Sequence, residues 1–189
     1  MAPDGVLAVL LVRRTRGNDR GPWQLPGTFV HPGETLARAA LRALSTKAAV
    51  TGVQPRQLCV LDDPKRDDRG WVVSVAHVDV VPADRLQDLK EARLLPVADA
   101  RGLAFDHDSI VQMAVESVRT DHVQRPDPWR LLEGPFTLLQ LQRLHEAVAG
   151  HDLVKDTFRR HMRPFLQPED GSSEGTVGRP ARLWRTPAI

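Results

Sequence analysis

The sequence predicts an α/β domain of about 120 residues followed by a smaller module of two helices and a β-hairpin. Three observations support this prediction. The length of 189 residues suits one domain of ordinary size plus a module of about 60 residues. Apolar runs typical of strands alternate with helical periods through the first part of the chain. The segment Asp121–Arg130 then places two prolines around an aspartate, which favours domains at 1–125 and 126–189.

The first domain begins with the apolar run Val6–Val12, which has the composition of a buried strand. A helical period starts after Thr35, and its apolar face comprises Leu36, Ala39, Ala40, Leu41, Leu44 and Ala48. Further strands are predicted at Gln57–Leu61, Trp71–Val81 and Ala92–Val97, with a polar hairpin loop between the first two. A second helix is predicted after Asp108.

Composition excludes several classes of protein. The 41% hydrophobic and 26% charged residues rule out a wholly disordered or collagen-like chain. The single cysteine, Cys59, cannot form an internal disulfide. No apolar run approaches the roughly 20 residues that span a bilayer, and the first residues lack the pattern of a signal peptide. We therefore expect a cytoplasmic protein that does not use a membrane. The net charge of +2 indicates no particular partner.

A specific motif lies before the first helix. Leu25–Pro26–Gly27, then Pro32–Gly33–Glu34, then Arg42 eight residues after Glu34, resemble the Nudix box of enzymes that hydrolyse nucleoside diphosphates linked to another group. Residues 63–76 and 103–107 are similar to those of Nudix proteins that handle ADP-ribose. The resemblance implies a Nudix-type mixed-sheet α/β/α sandwich. It also implies one more strand before Val6, so either that strand is absent or the recorded start lies downstream of the real one.

The catalytic part of the Nudix box is missing. The resemblance places the metal-binding glutamates at Ala43, Thr46 and Lys47, on one face of the helix. Magnesium prefers hard oxygen ligands, and Lys47 would repel it. We therefore expect no catalytic residues, no metal site and no cofactor. The expected glycine near the helix end is Ala49, and the second glycine of the usual pair is Thr28.

The remaining pocket has two interpretations. It can bind ADP-ribose or a related nucleotide as a sensor, with Lys47 neutralising the pyrophosphate in place of a metal ion. Alternatively, Lys47 lies on a solvated face and the pocket is empty. The resemblance implies the ligand-binding set Arg13, Trp23, Gly27, Thr28, Glu34 and Lys47. Glu34 and Arg42 are expected to form a structural pair.

The second domain has the pattern of a helix-turn-helix. Thr137 and Gln140 have capping-box spacing, and Gly150 stands where the first helix should end. In the next helix the apolar stripe comprises Val154, Phe158, Met162 and Phe165, and the outward stripe is basic. The stretches 165–168 and 177–184 predict a hairpin wing that carries arginines. The predicted DNA-binding residues are Lys155, Thr157, Arg159, Arg160, Arg163, Arg179 and Arg182.

This tail resembles that of the Nudix-related transcriptional regulators. The similarity rests on Phe136–Leu138, Leu144–Val148, Phe158–Arg160 and Gly178–Arg185. It implies a winged helix-turn-helix and a repressor of NAD-metabolism genes that senses ADP-ribose. It also implies a homodimer on double-stranded operator DNA in the nucleoid. Two alternatives stay open: an active Nudix hydrolase with displaced metal ligands, and a DNA-binding regulator with a decayed sensor pocket.

Overall fold

The computed structural model describes residues 5–14, 23–67, 70–86, 89, 91–172 and 180–187. Contacts between residues divide the chain into two compact units, essentially 7–117 and 118–189. The division falls inside a helix, so the predicted ranges 1–125 and 126–189 stay a prediction for domains that fold on their own. No helix in the described ranges is long and apolar enough to cross a membrane.

The first unit contains two sheets. In the larger sheet, β1 (Ala8–Arg13) lies between β2 (Trp23–Gln24) and β5 (Ala92–Pro96). The smaller sheet pairs β3 (Arg56–Leu61) with β4 (Ser74–Val78). These pairings are all antiparallel. Helix α1 (Leu36–Ala48) belongs to the first unit. Helix α2 (His107–Gln124) begins in the first unit and contains the division at Ser117.

Strand β1 supplies both sides of the core because its successive side chains point to opposite faces. Leu11 packs with Leu103 and with Val111 of α2. Val12 packs instead with Ala92 and with Ala48 of α1. A strand that is covered on both faces is apolar throughout, which explains the uninterrupted run seen in the sequence.

The strand predicted at Trp71–Val81 is shorter in the structure. It begins at Ser74, and Trp71 and Val73 are 75% and 52% exposed. Their aromatic and β-branched side chains favour strands, but propensity alone does not decide strand ends.

Among the described residues, the second unit contains the end of α2, a three-stranded antiparallel sheet and two further helices. The helices are α3 (Leu138–Ala149) and α4 (Lys155–Met162). The sheet has the order β6–β8–β7, made of β6 (Phe136–Thr137), β8 (Arg182–Arg185) and β7 (Gln167–Ser172). The predicted hairpin is confirmed as the β7–β8 pair, but β7 extends to Ser172, into the stretch predicted as the turn. Residues 177–179 of the predicted second strand lie outside the described residues. Strand β6 is a short strand that the sequence did not indicate.

The apolar stripe predicted for α4 is half right. Phe158 and Met162 are buried, whereas Val154 is 74% exposed and Phe165 is 46% exposed. Val154 is the N-cap of α4, and Phe165 lies in a 3₁₀ turn (Arg163–Phe165) that follows the helix. The helical period therefore does not apply at either position.

Candidate functional site

Helix α1 and the loop before it form the first candidate site. The Thr35 hydroxyl accepts the backbone N–H of Arg38 and caps the helix. At the other end Ala49 adopts a left-handed conformation with φ of 55°. This is the position where the resemblance calls for glycine, so the backbone geometry is kept although the residue has changed.

Glu34 and Arg42 form the expected structural pair. Two parallel hydrogen bonds of 2.8 Å join the guanidinium to the carboxylate. Arg42 also donates to the Thr28 hydroxyl at 3.1 Å and to the Phe29 carbonyl at 2.8 Å, while Glu34 accepts the His31 N–H at 3.0 Å. The bonds from Arg42 and His31 lower the pKa of Glu34 to about 2. These bonds tie the loop onto the helix.

The three positions where the resemblance places metal-binding glutamates offer no suitable ligands. Ala43 is buried and has no oxygen. The Thr46 hydroxyl donates to the Arg42 carbonyl at 2.7 Å, and the Lys47 ammonium donates to the Gly27 carbonyl. In the part of the chain that the structure describes, no three histidine, cysteine, aspartate or glutamate side chains could hold a metal ion. This donor set does not fit Mg²⁺.

The residues predicted to bind ligand fall into two neighbouring groups. Gly27 lies against Lys47, and Thr28 lies against the Glu34–Arg42 pair. Arg13 and Trp23 are partners across β1 and β2. The stretch 24–26 joins the two groups. The guanidinium of Arg93 also lies 4.0 Å from the centroid of the Trp23 ring, a cation–π contact that the sequence did not indicate.

A polar network beside this region was also not predicted residue by residue. Arg66 binds Asp106 through bonds of 2.9 and 2.8 Å and also donates to the Ser74 hydroxyl. The next residue, His107, accepts the Leu25 N–H at its Nδ1 atom, at 3.1 Å. Burial lowers the pKa of His107 to about 4, so it stays a neutral acceptor for the start of the loop. The available signal was the resemblance of residues 63–76 and 103–107, which does not specify these bonds.

Helices α3 and α4 form the second candidate site. Thr137 and Gln140 make the full capping box that the sequence predicted, and Gly150 ends α3 with φ of 81°. The amide of Gln142 bridges Glu146 at 2.8 Å and the Leu153 carbonyl at 3.0 Å. Glu146 also accepts the Leu153 N–H at 3.1 Å. The turn between the helices is therefore held by buried polar bonds.

The basic residues predicted to bind DNA occupy different environments. Lys155, Thr157 and Arg160 are exposed on α4. Arg159 is partly buried, and its Nε atom has no hydrogen-bond partner among the described residues. Arg163 follows the end of α4 in the 3₁₀ turn, and Arg182 begins β8. Arg179 lies outside the described residues.

Two buried histidines lie beneath α4. The His145 ring stacks edge-on against the Phe158 ring at 5.0 Å and against the His122 ring at 5.3 Å. The Nε2 atom of His145 lies 2.5 Å from the Pro126 carbonyl. Burial lowers the pKa of His145 to about 4 and lowers that of His122 as well. The helix that carries the basic surface therefore rests on neutral imidazoles.

Comparisons with known proteins agree with this two-part layout. Residues 2–114 match the NUDIX domain, and residues 128–186 match the NrtR DNA-binding winged helix domain. The mixed α/β architecture is thus a Nudix fold followed by a winged helix, as predicted.

Two relatives match across nearly the whole chain, and a third matches its first part. An ADPR responsive transcriptional repressor, NtrR, from Acinetobacter baylyi is 30% identical over 96% of this chain and 76% of its own length. The NrtR of Shewanella oneidensis, solved in complex with a 27mer DNA, is 31% identical with a TM-score of 0.76, over 97% of this chain and 88% of that one. The NUDIX domain of that NrtR, solved with ADP ribose, is 32% identical with a TM-score of 0.54, over 61% and 80% of the two chains.

The relatives include a repressor that responds to ADP-ribose and a regulator solved on DNA, and similarity to both extends through the two units. The chain therefore belongs to the NrtR family of Nudix-related transcriptional regulators.

Proposed function

We propose that this protein is a transcriptional repressor that binds operator DNA through its second unit and senses ADP-ribose, or a related nucleotide, through its first. The observation that carries the proposal is the 30% identity to an ADPR responsive repressor along 96% of the chain. We propose the genes of NAD metabolism as its targets. Because it would bind operator DNA, we also propose that the protein is located at the nucleoid.

We propose that Lys47 takes over the electrostatic role of a metal ion in the nucleotide pocket. Its ammonium already lies at the Gly27 carbonyl, where the loop meets the last turn of α1. A pyrophosphate bound there would meet a fixed positive charge without a metal ion. Arg13, Trp23, Thr28 and Glu34 complete the proposed pocket, with Glu34 acting through Arg42.

The proposed sensor does not hydrolyse its ligand. Metal-assisted hydrolysis needs an ion that polarises the pyrophosphate, and Ala43, Thr46 and Lys47 do not form a site for one. Incubation with ADP-ribose and Mg²⁺ or Mn²⁺ should therefore give no turnover. A rate near the roughly 1–10³ s⁻¹ of ordinary enzymes would instead identify a hydrolase with displaced metal ligands.

The proposed DNA-binding form is a homodimer. Two copies of α4 would enter successive major grooves, which are about 34 Å apart on one side of the duplex. Effector binding would favour one of two dimer arrangements and so change the affinity for DNA.

One titration tests the proposal most directly. The protein is bound to its own upstream DNA at fixed salt, and ADP-ribose is added over the micromolar to millimolar range. A change in the bound fraction with ADP-ribose, but not with adenosine, supports the sensor. An unchanged bound fraction contradicts it.

A matched pair of variants tests the role of Lys47. Lys47→Gln and Arg38→Gln each remove one positive charge from α1, and both side chains are exposed. Only Lys47→Gln should weaken ADP-ribose binding. Ligand at about 100 times its dissociation constant should stabilise the parent by roughly 2.7 kcal/mol in thermal unfolding. A parent protein that millimolar ADP-ribose does not stabilise would be a regulator with a decayed pocket.

A further inference from the structure

A basic cleft lies within the second unit, at the place where α3, α4 and β8 meet. Its volume is about 600 Å³. The first residues of α3 form one side, α4 and its following turn form another, and Trp184 lies at the base. The lining residues are Thr137, Leu138, Leu139, Asp156, Arg159, Arg160, Arg163, Ala181, Arg182 and Trp184.

The charge of this cleft suits an anion. Four arginines and one aspartate line it. No ion pair engages Arg160, Arg163 or Arg182 within the described ranges, so their charges are available to an external partner. The Nε atom of Arg159 is shielded from solvent and has no hydrogen-bond partner there. Such a donor favours an acceptor that arrives with a ligand.

The start of α3 adds two backbone donors. The Thr137 side chain caps the N–H of Gln140, which leaves the N–H groups of Leu138 and Leu139 at the first turn of a 12-residue helix. Both residues line the cleft. A helix N-terminus also carries partial positive charge, so it attracts phosphate.

Trp184 fixes the direction of two of the arginines. The guanidinium carbons of Arg163 and Arg182 lie 5.6 and 5.3 Å from its ring centroid. The ring itself is held in the central strand, opposite Phe136 on one side and Pro168 on the other, and is 8% exposed. Arg163 therefore belongs with Arg182 of the wing, although the helical spacing in the sequence grouped it with α4.

We propose that this cleft seats phosphate groups of the DNA backbone, which are bound by Arg163 and Arg182, with Trp184 as the positioning residue for both. This inference rests on the proposed function and divides its DNA-binding residues. Arg163 and Arg182 supply affinity without sequence information, whereas the exposed Lys155 and Thr157 of α4, which do not line the cleft, face base edges. Arginine suits this role because its planar fork binds two phosphate oxygens at once.

Salt dependence separates backbone contacts from base contacts. Arg163→Gln and Arg182→Gln should each lower the slope of log K against log salt by about 1, and the affinity ratio of own upstream to unrelated DNA should stay within about twofold. Lys155→Gln, outside the cleft lining, should lower that ratio instead. Arg101→Gln removes an equal charge from an exposed site in the first unit and should change neither quantity.

The role of Trp184 needs a readout that a fold defect would not give. Trp184→Phe keeps an aromatic face and should bind DNA nearly as the parent does. Trp184→Leu keeps every charge but should lose about tenfold in affinity for all DNA, because it loses two cation–π contacts. Thermal unfolding verifies that both variants are folded. If folded Trp184→Leu binds like the parent, the positioning role is wrong.

The outcomes separate this inference from the proposed function. If the parent prefers its own upstream DNA but Arg163→Gln and Arg182→Gln leave the slope unchanged, the phosphate seat is overturned and the regulator stands. If the parent binds all DNA equally but both variants lower the slope, the seat stands and the regulator is overturned. Inorganic pyrophosphate tests whether the cleft binds a free phosphate compound. If pyrophosphate competes with a nucleotide effector at this cleft, and both variants leave the DNA slope unchanged, the ligand of the cleft is a free phosphate compound and not the DNA backbone.

Discussion

The loop and helix at residues 25–49 and the helix-turn-helix at 137–163 are built alike but stabilised differently. In each, a threonine caps the helix start, with Thr35 in one and Thr137 in the other, and a left-handed residue ends the helix. In α1 the only buried residues are alanines, and the Glu34–Arg42 pair holds the loop at the surface. In α3 the buried residues include Leu141 and Leu144.

This difference shows that the bonds that hold a site together are separate from the residues that would do chemistry there. The first region has no acidic side chain at Ala43, Thr46 or Lys47, yet it has a cap, an ion pair and a left-handed end. In the second region the stabilising contacts are buried, so the surface of α4 is free to carry positive charge. Four predictions test this contrast, beginning with the largest expected effect.

Truncation of a buried leucine should affect the second region far more than the first. Leu144→Ala removes a side chain that is 2% exposed and should lower the free energy of unfolding by about 2–5 kcal/mol. Leu44→Ala, on the half-buried side of α1, should cost less, because that side chain keeps part of its contact with water. Urea unfolding followed by circular dichroism measures both. Equal losses would contradict the contrast.

Acid should destabilise the second unit through His145. The pKa of His145 in the folded protein is about 4, below the ordinary value of 6.5, because burial disfavours the charged ring. The contribution of the neutral His145 ring to the free energy of unfolding is therefore fully present above about pH 6.5. It is lost as the pH falls towards 4, by on the order of 3 kcal/mol. In His145→Gln this loss should be reduced, whereas His151→Gln, at an exposed position, should behave as the parent. Thermal unfolding at pH 7, 6, 5 and 4 tests this, and an unchanged profile in His145→Gln would refute it.

Ala49 ends α1 and Gly150 ends α3, and replacing each by the residue found at the other end should change the stability of the protein in opposite directions. Ala49→Gly relieves a left-handed alanine and should stabilise the protein by about 1 kcal/mol. Gly150→Ala should cost about 1 kcal/mol or more, since φ is 81° and the new Cβ would lie 3.3 Å from Arg119 Nη2. The measurement is the midpoint of thermal unfolding. A shift of the same sign in both variants would mean that the two ends are not equivalent.

Removal of the surface ion pair should give the smallest effect. Glu34→Gln keeps the shape but loses the charge-assisted bonds to Arg42, and solvent screens this pair. The parent should keep the contribution of this pair above about pH 4.5 and lose it as the pH falls towards 2, because the folded pKa of Glu34 is lowered. Glu116→Gln, an exposed acid of α2, is the control. A loss larger than that of Gly150→Ala would mean that the pair dominates the first region.

The sequence by itself determined the order of the longer elements, the starts of α1 and α3, and the family. These features depend on residues only a few positions apart, such as Thr137 with Gln140 or Glu34 with Arg42. A period or a cap is complete within one or two turns, so it can be read locally.

Only the tertiary structure decided which distant residues meet. Arg66 pairs with Asp106 across 40 positions, His145 stacks on Phe158, and Arg163 joins Arg182 over Trp184. Arg163 had the spacing of an α4 residue, but the helix ends before it, and β8 returns to place Trp184 beside it. Such contacts depend on how the chain folds back, because burial and pairing are settled between elements that no local pattern links.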